Sequence, residues 1–242
     1  MSEQPPTFTY RIAAASDSSR ILKFLLDYFI FEEPCIRALG SKVSEWRPIL
    51  GEMIDASLKF PFSTIVLSSS GDVAGVLLQS VWNRKDDEKR SSGDHDVSGY
   101  SEKTRKFMEV LQKCHDDFWP LAPASVDVVL YREISSVGTP WQRRGIASHM
   151  LTHALSRDRL AEHKVRGVVS ATSSFANQTL LAKRGFRCLK EFAYDDIVTS
   201  SAETSSESTG RRRHVAKCVE TDDGSRAIRI NFKHIDQFDL PN

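Results

Sequence analysis

The spacing of apolar residues alternates between period two and the helical period, and each change marks out an element. Residues 7–14 predict a first strand, with Phe8, Tyr10 and Ile12 on one side. From Ser16, a candidate N-cap, Leu22, Leu25, Leu26 and Phe29 fit one face of a helix. Pro34 should stop that helix, because it disfavours helical geometry at Glu33 and leaves that carboxylate where the chain turns. A second helix over residues 44–58 turns Trp46, Ile49, Leu50, Met53 and Ile54 inward. Two strands, 63–67 and 72–81, read as a hairpin around Gly71. A third helix, 101–119, should end before Pro120, and residues 125–137 form the longest strand candidate. Beyond it the pattern predicts a helix carrying Met150, Leu151, Ala154 and Leu155, then a strand at 165–170 and a helix at 177–184 capped by Gly185. Strands at 188–197 and 227–232 close the series.

The segment between the long strand and the next helix holds the clearest chemistry. A strand that turns into a helix through small residues presents unpaired backbone N–H groups at the helix start, where phosphate oxygens are favoured. Here the connection contains Gln142, Arg143, Arg144, Gly145, Ile146 and Ala147. Gly145 and Ala147 leave the main chain open to close approach, and the two arginines offer charge-assisted hydrogen bonds.

Composition narrows the choices. A chain of 242 residues with 40% hydrophobic content can bury a normal core as one domain, 1–242. Polar inserts near 83–99 and 199–210 interrupt it. The net charge of +1 provides no general field for nucleic acid or membrane. The one basic cluster, Arg211 to His214, reads as a solvated strand end. No apolar run suits a membrane span, and the N-terminus lacks the pattern of a signal peptide. Four cysteines without a CxxC pair fit a reduced, cytoplasmic setting with mostly buried thiols and no metal centre.

The spacing Gln142-x-x-Gly145-x-Ala147 resembles the acyl-CoA pyrophosphate loop of the GCN5-related N-acetyltransferases (GNAT). Asn177, followed eight residues later by Gly185-Phe186, is similar to a second signature of that superfamily. The order of elements is also that of its fold. The resemblance implies an α/β architecture: a central, mixed, mostly antiparallel twisted sheet of about seven strands flanked by helices. Tyr28-Phe29, then Glu33-Pro34 and Ala38-Leu39-Gly40, resemble invertebrate arylalkylamine (dopamine-type) N-acetyltransferases within it.

This resemblance implies direct acetyl transfer from acetyl-CoA, as cosubstrate, to a small amine, with no metal. It makes Glu33 the general base, and aromatic neighbours would raise its pKa. It assigns the backbone of Ser135, Ser136 and Val137 to the acetyl carbonyl and pantetheine, and Gln142 to Ala147 to the phosphates. A tyrosine that many members place four residues before Gly-Phe is here Leu181. Ser173 matches the first of two serines thought to act instead in the arylalkylamine group, whereas Asn177 replaces the second and is read as CoA-binding. Ser173 equally suits a simple turn. Tyr28, Phe31, Trp46, Trp82 and Trp119 are candidates for an aromatic acceptor pocket, or for core. A polyamine or protein amine as acceptor, and a non-catalytic acyl-CoA-binding protein, stay open as alternatives. Both monomer and homodimer fit the sequence.

Overall fold

A computed structural model describes residues 7–87, 99–194 and 221–240. The expected inserts 83–99 and 199–210, the cluster Arg211 to His214 and Cys218 lie wholly or largely outside the described residues.

Among the described residues seven strands form one sheet: β1 (Thr9–Ile12), β2 (Thr64–Leu67), β3 (Val73–Asn83), β4 (Val128–Val137), β5 (Gly167–Thr172), β6 (Arg187–Ala193) and β7 (Ala227–His234). Their spatial order is β1-β2-β3-β4-β5-β7-β6. Every neighbouring pair is antiparallel except β4 and β5. Among the described residues the α-helices, in chain order, are α1 (Ser18–Phe24), α2 (Ile30–Glu32), α3 (Pro34–Leu39), α4 (Val43–Ser57), α5 (Arg84–Asp87), α6 (Glu102–Asp116), α7 (Phe118–Leu121), α8 (Ile146–His153), α9 (Arg157–Glu162) and α10 (Phe175–Lys183).

The sheet separates two apolar layers, and β4 shows how its sequence does so. Val129 and Tyr131 pack with residues of α1, α4 and α6, whereas Val128 and Leu130 pack with residues of α8, α9 and α10. The alternation is that expected of a strand buried on both faces. It slips at Glu133, where β4 bulges against β3, and Ile134 joins the first layer. The ladder between β4 and β5 covers only Val129 to Tyr131 against Gly167 to Val169. Beyond it the strands part, freeing the edge of β4 that carries Ser135, Ser136 and Val137.

Several expectations need correction. Ser16 is not an N-cap but lies within a short 3-10 turn, Ala15–Asp17. Asp17 reaches back to accept from the Ala14 N–H at 2.9 Å, and Arg11 pairs with it at 2.5 Å. The first helix is not continuous: a π-turn at Leu25–Phe29 separates α1 from α2. The helix does stop before Pro34, with Glu33 extended as expected, but Pro34 also starts another helix, since a missing N–H costs nothing at a first helical position. Pro120 does not stop the third helix; the chain breaks earlier, and α7 contains the proline. Helix α9 is an addition, capped by Ser156 accepting from the Arg159 N–H. Cys35 and Cys114 are buried, but Cys188, on the edge strand β6, is exposed. Gly185 takes the left-handed conformation expected of it, φ +79°. No helix among the described residues is long and apolar enough to cross a membrane.

Candidate active site

A cleft of about 1620 Å³ opens where β4 and β5 part. It runs from the start of α8 past Glu33 to an aromatic end beneath α4 and α6.

At the first end, Arg143 and Gly145 both adopt left-handed conformations, φ +63° and +78°. These residues turn the chain from β4 into α8. Gly145 is the N-cap of α8 and supplies no side-chain cap, so the first helical N–H groups lack that satisfaction. A Cβ at Gly145 would meet nothing within 4 Å, so the space in front of the helix start is open. The donor set therefore fits an anionic diphosphate. Ser135, Ser136, Val137, Gln142, Arg143, Gly145, Ile146 and Ala147 all line the cleft, as does Asn177. Asn177 Oδ1 is buried without a hydrogen-bond partner among the described residues, which suits an amide donor of a pantetheine arm. Arg144 does not line the cleft.

Glu33 occupies the middle. The break between α2 and α3 sets its backbone at φ −71°, ψ 118° and makes it the N-cap of α3. Its Oε2 accepts from the Ile36 N–H at 2.5 Å. The residue is only 6% exposed, and Oε1 has no hydrogen-bond partner among the described residues. Burial pushes the carboxyl up to about 7. The Ser173 hydroxyl and the N–H groups of Ile36 and Cys35 pull it down, while the charge of Asp223 adds to the rise. Ser173 thus stands beside Glu33, although its hydroxyl does not meet Oε1 in hydrogen-bonding geometry. The sequence-predicted base and its serine partner, 140 positions apart in the chain, face one cleft.

A partly buried network absent from the sequence reading holds Ser173 there. The Tyr194 hydroxyl donates to the Ser173 carbonyl at 2.9 Å and lies 3.3 Å from Ser225 Oγ. Asp223 accepts from the Ser225 N–H at 2.9 Å and from its hydroxyl at 2.6 Å. Its other oxygen accepts from the Phe175 N–H at the start of α10, at 2.8 Å. Burial raises the Asp223 carboxyl, but these hydrogen bonds outweigh it and hold the group below its ordinary value. The signal was too dispersed to read, since these residues meet only after β6 and β7 pair.

At the far end, Trp82 stacks on Tyr131 with centroids 3.8 Å apart and planes 7° from parallel. His115 lies 3.9 Å from Trp82 on another side. Tyr28, Phe31, Trp46 and Trp82 line the cleft as expected, but Trp119 does not. Its ring is buried and its N–H donates to Asp87 at 2.6 Å. Glu133, at the β4 bulge, also lines this end and accepts from the Ser80 hydroxyl at 2.5 Å. Its charge, and that of Arg132 beside it, break off the apolar run that opens β4, a visible signal that the sequence reading did not use. Arg132 is buried to 2% exposure on the other side of the strand, and none of its guanidinium nitrogens finds an acceptor among the described residues. Burial lowers its pKa to about 10.

No protein-family profile matches this chain, and no curated protein sequence matches it. Solved structures do. Arylalkylamine N-acetyltransferase 2 from Aedes aegypti is 16% identical with a TM-score of 0.71, the match covering 95% of this chain and 99% of that one. Polyamine N-acetyltransferase from Drosophila melanogaster, which catalyses formation of N-acetylagmatine, is 11% identical with a TM-score of 0.67, covering 95% and 100%. The C-terminal condensation domain of Ebony, solved with β-alanyl-dopamine, is 15% identical with a TM-score of 0.68, covering 96% and 100%. Such identities speak for architecture. The seven-stranded sheet, its parted β4 and β5 and its flanking helices give this chain the GNAT fold, in a form resembling the insect arylalkylamine N-acetyltransferases.

Proposed function

We propose that the protein is an acetyl-CoA-dependent N-acetyltransferase that moves an acetyl group directly to a small amine, best matched by an arylalkylamine. The observation that carries this reading is Glu33, a buried carboxyl pushed up to about 7 with one oxygen unpartnered, in the same cleft as the uncapped start of α8. Proton acceptors with such values suit work near neutral pH. The fold by itself does not choose the acyl donor, because one fold hosts many chemistries. What favours CoA is the open, uncapped helix start with Arg143 beside it, followed along the cleft by the orphaned Asn177 oxygen.

In this reading the amine arrives as an ammonium and Glu33 Oε1 removes one proton, directly or through a water. The freed lone pair attacks the thioester carbonyl carbon, forming the C–N bond as the C=O electrons move onto oxygen. Main-chain groups of Ser135 to Val137, on the free edge of β4, meet that developing charge. The electrons then return, the C–S bond breaks, and the second nitrogen proton ends on the departing sulfur. The Ser173 hydroxyl is assigned to that transfer. Glu33 finally gives its proton to solvent. The products are an amide, free CoA and one proton, which balances the reaction.

The stacked Trp82 and Tyr131 favour a flat acceptor ring, because aromatic faces bury well against each other. A second reading, an amine with an additional distal cation, is favoured by Glu52, Asp86, Asp87 and Glu133, which line the same cleft. A cytoplasmic site of action accompanies either reading. The test is release of free CoA from acetyl-CoA with phenylethylamines, indoleamines, polyamines and one peptide amine. A ring-bearing amine should give the highest kcat/KM. Release only with polyamines would select the second reading, and acetyl-CoA binding without release would leave a binding protein.

A further inference from the structure

The residue before Glu33 grips the other half of the cleft. Glu32 Oε1 accepts from the Thr139 N–H at 3.0 Å and from the Thr139 hydroxyl. Its Oε2 accepts from Gln142 Nε2 at 3.1 Å, and the same amide donates to the Val137 carbonyl at 2.9 Å. Gln142, although exposed, is therefore engaged by the protein's own groups and acts on the loop's shape. Around this junction Tyr28 meets Trp141 edge-on at 5.8 Å. A Cβ at Gly138 would stand 3.1 Å from the Trp141 ring and 3.2 Å from that of Phe24, so the loop lies close against α1. The Glu33 N–H, for its part, donates to the Phe29 carbonyl at 2.8 Å across the end of α2. Two adjacent carboxylates thus face opposite ways, one fixed to the loop at the start of α8 and the next aimed at the acceptor.

The loop that Glu32 holds is under backbone strain. Arg143 carries a side chain at φ +63°, a conformation that persists only when surrounding contacts enforce it. Thr139 and Gln142 stand just before it in the chain, and both are bonded to Glu32. A ligand seated on the N–H groups of this loop necessarily acts on the same segment.

We propose that Glu32 is a positioning residue that couples the two substrate sites: occupancy of the loop fixes Thr139 and Gln142, and through Glu32 fixes the turn that aims Glu33. The inference rests on the reading of the cleft as an acyl-CoA and amine site. Coupling of this kind is reciprocal, so the amine tightens CoA by the same factor that CoA tightens the amine. A carboxylate that merely stabilised the fold would change melting temperature and leave that factor alone.

The experiment titrates CoA, which cannot react, into the full chain by calorimetry, with and without a saturating panel amine (tyramine as first probe, then the amine of highest kcat/KM). For the native protein the amine should tighten CoA by about fivefold or more. In Glu32→Ala the ratio should fall toward one, and in Glu32→Gln, which keeps an acceptor oxygen, it should lie between. Should Glu32→Ala fail to fold, Thr139→Val removes one donor to Glu32 and should lower the ratio in the same direction. A native ratio of one, or a native-like ratio in both Glu32→Ala and Thr139→Val, overturns the coupling. A native protein that binds no CoA overturns the underlying reading as well, so the two failures are told apart.

Discussion

Replacing Glu33 by glutamine should change how stability depends on pH, by an amount set by the burial of the carboxyl. Its ordinary value is 4.5, and in the fold it is pushed up to about 7. Between those values the folded state holds a proton that the unfolded chain releases, so folding weakens as pH rises. The contribution is fully present below 4.5 and is lost as pH rises through about 7. At about 1.4 kcal/mol per pKa unit, the loss across the window is about 3 kcal/mol. Glutamine cannot ionise, is nearly the same shape, and can still accept from the Ile36 N–H. Between pH 4.5 and about 8.5 the stability of Glu33→Gln should therefore gain about 3 kcal/mol on the native protein. Any constant cost of the substitution cancels in that comparison. Urea unfolding of both proteins at a series of pH values measures it. Parallel profiles would refute the reasoning, because they would mean that Glu33 titrates alike in both states.

Other substitutions test separate parts of the cleft. Trp82→Ala removes the ring stacked on Tyr131 and should raise KM for a ring-bearing amine about tenfold, leaving KM for acetyl-CoA unchanged; equal rises in both would contradict an acceptor wall. Gly145→Ala places a Cβ at φ +78° in front of the helix start. Urea unfolding should show a loss of about 1–2 kcal/mol, and calorimetry a larger loss in acetyl-CoA binding. Arg132→Met removes a buried guanidinium that finds no acceptor among the described residues. Stability should hold or rise, by about 1–4 kcal/mol in comparable replacements of buried ions; a fall of that size in urea unfolding would mean the charge is compensated.

What could be read from the sequence was local. The alternation around Val128 to Tyr131, the small residues at Gly145 and Ala147, and the Glu33-Pro34 pair each impose their geometry within a few residues. So does the span from Asn177 to Gly185, where a helix and its left-handed cap follow from the residues themselves. Tertiary assembly decided the remainder. The π-turn at Leu25–Phe29 leaves no trace in an apolar periodicity that a plain helix would also satisfy. Arg144 reads as a phosphate ligand from its charge, yet it is not among the residues lining the cleft, whereas Arg143 and Gly145 on either side of it are. Tyr194, Asp223 and Ser225 look like ordinary strand-end residues until the pairing of β6 with β7 brings them to Ser173. Glu32 gives no signal in the sequence, because its partners lie 107 and 110 positions away.

The most direct test of the central claim is the rate of CoA release from acetyl-CoA with a ring-bearing amine, followed across pH in the native protein and in Glu33→Gln. The account predicts a native kcat/KM that falls as pH drops below about 7, the value burial gives Glu33. It predicts a loss of about a hundredfold or more in Glu33→Gln, with acetyl-CoA binding retained. A variant that turns over at the native rate, or a native profile with no limb near 7, would contradict Glu33 as the base.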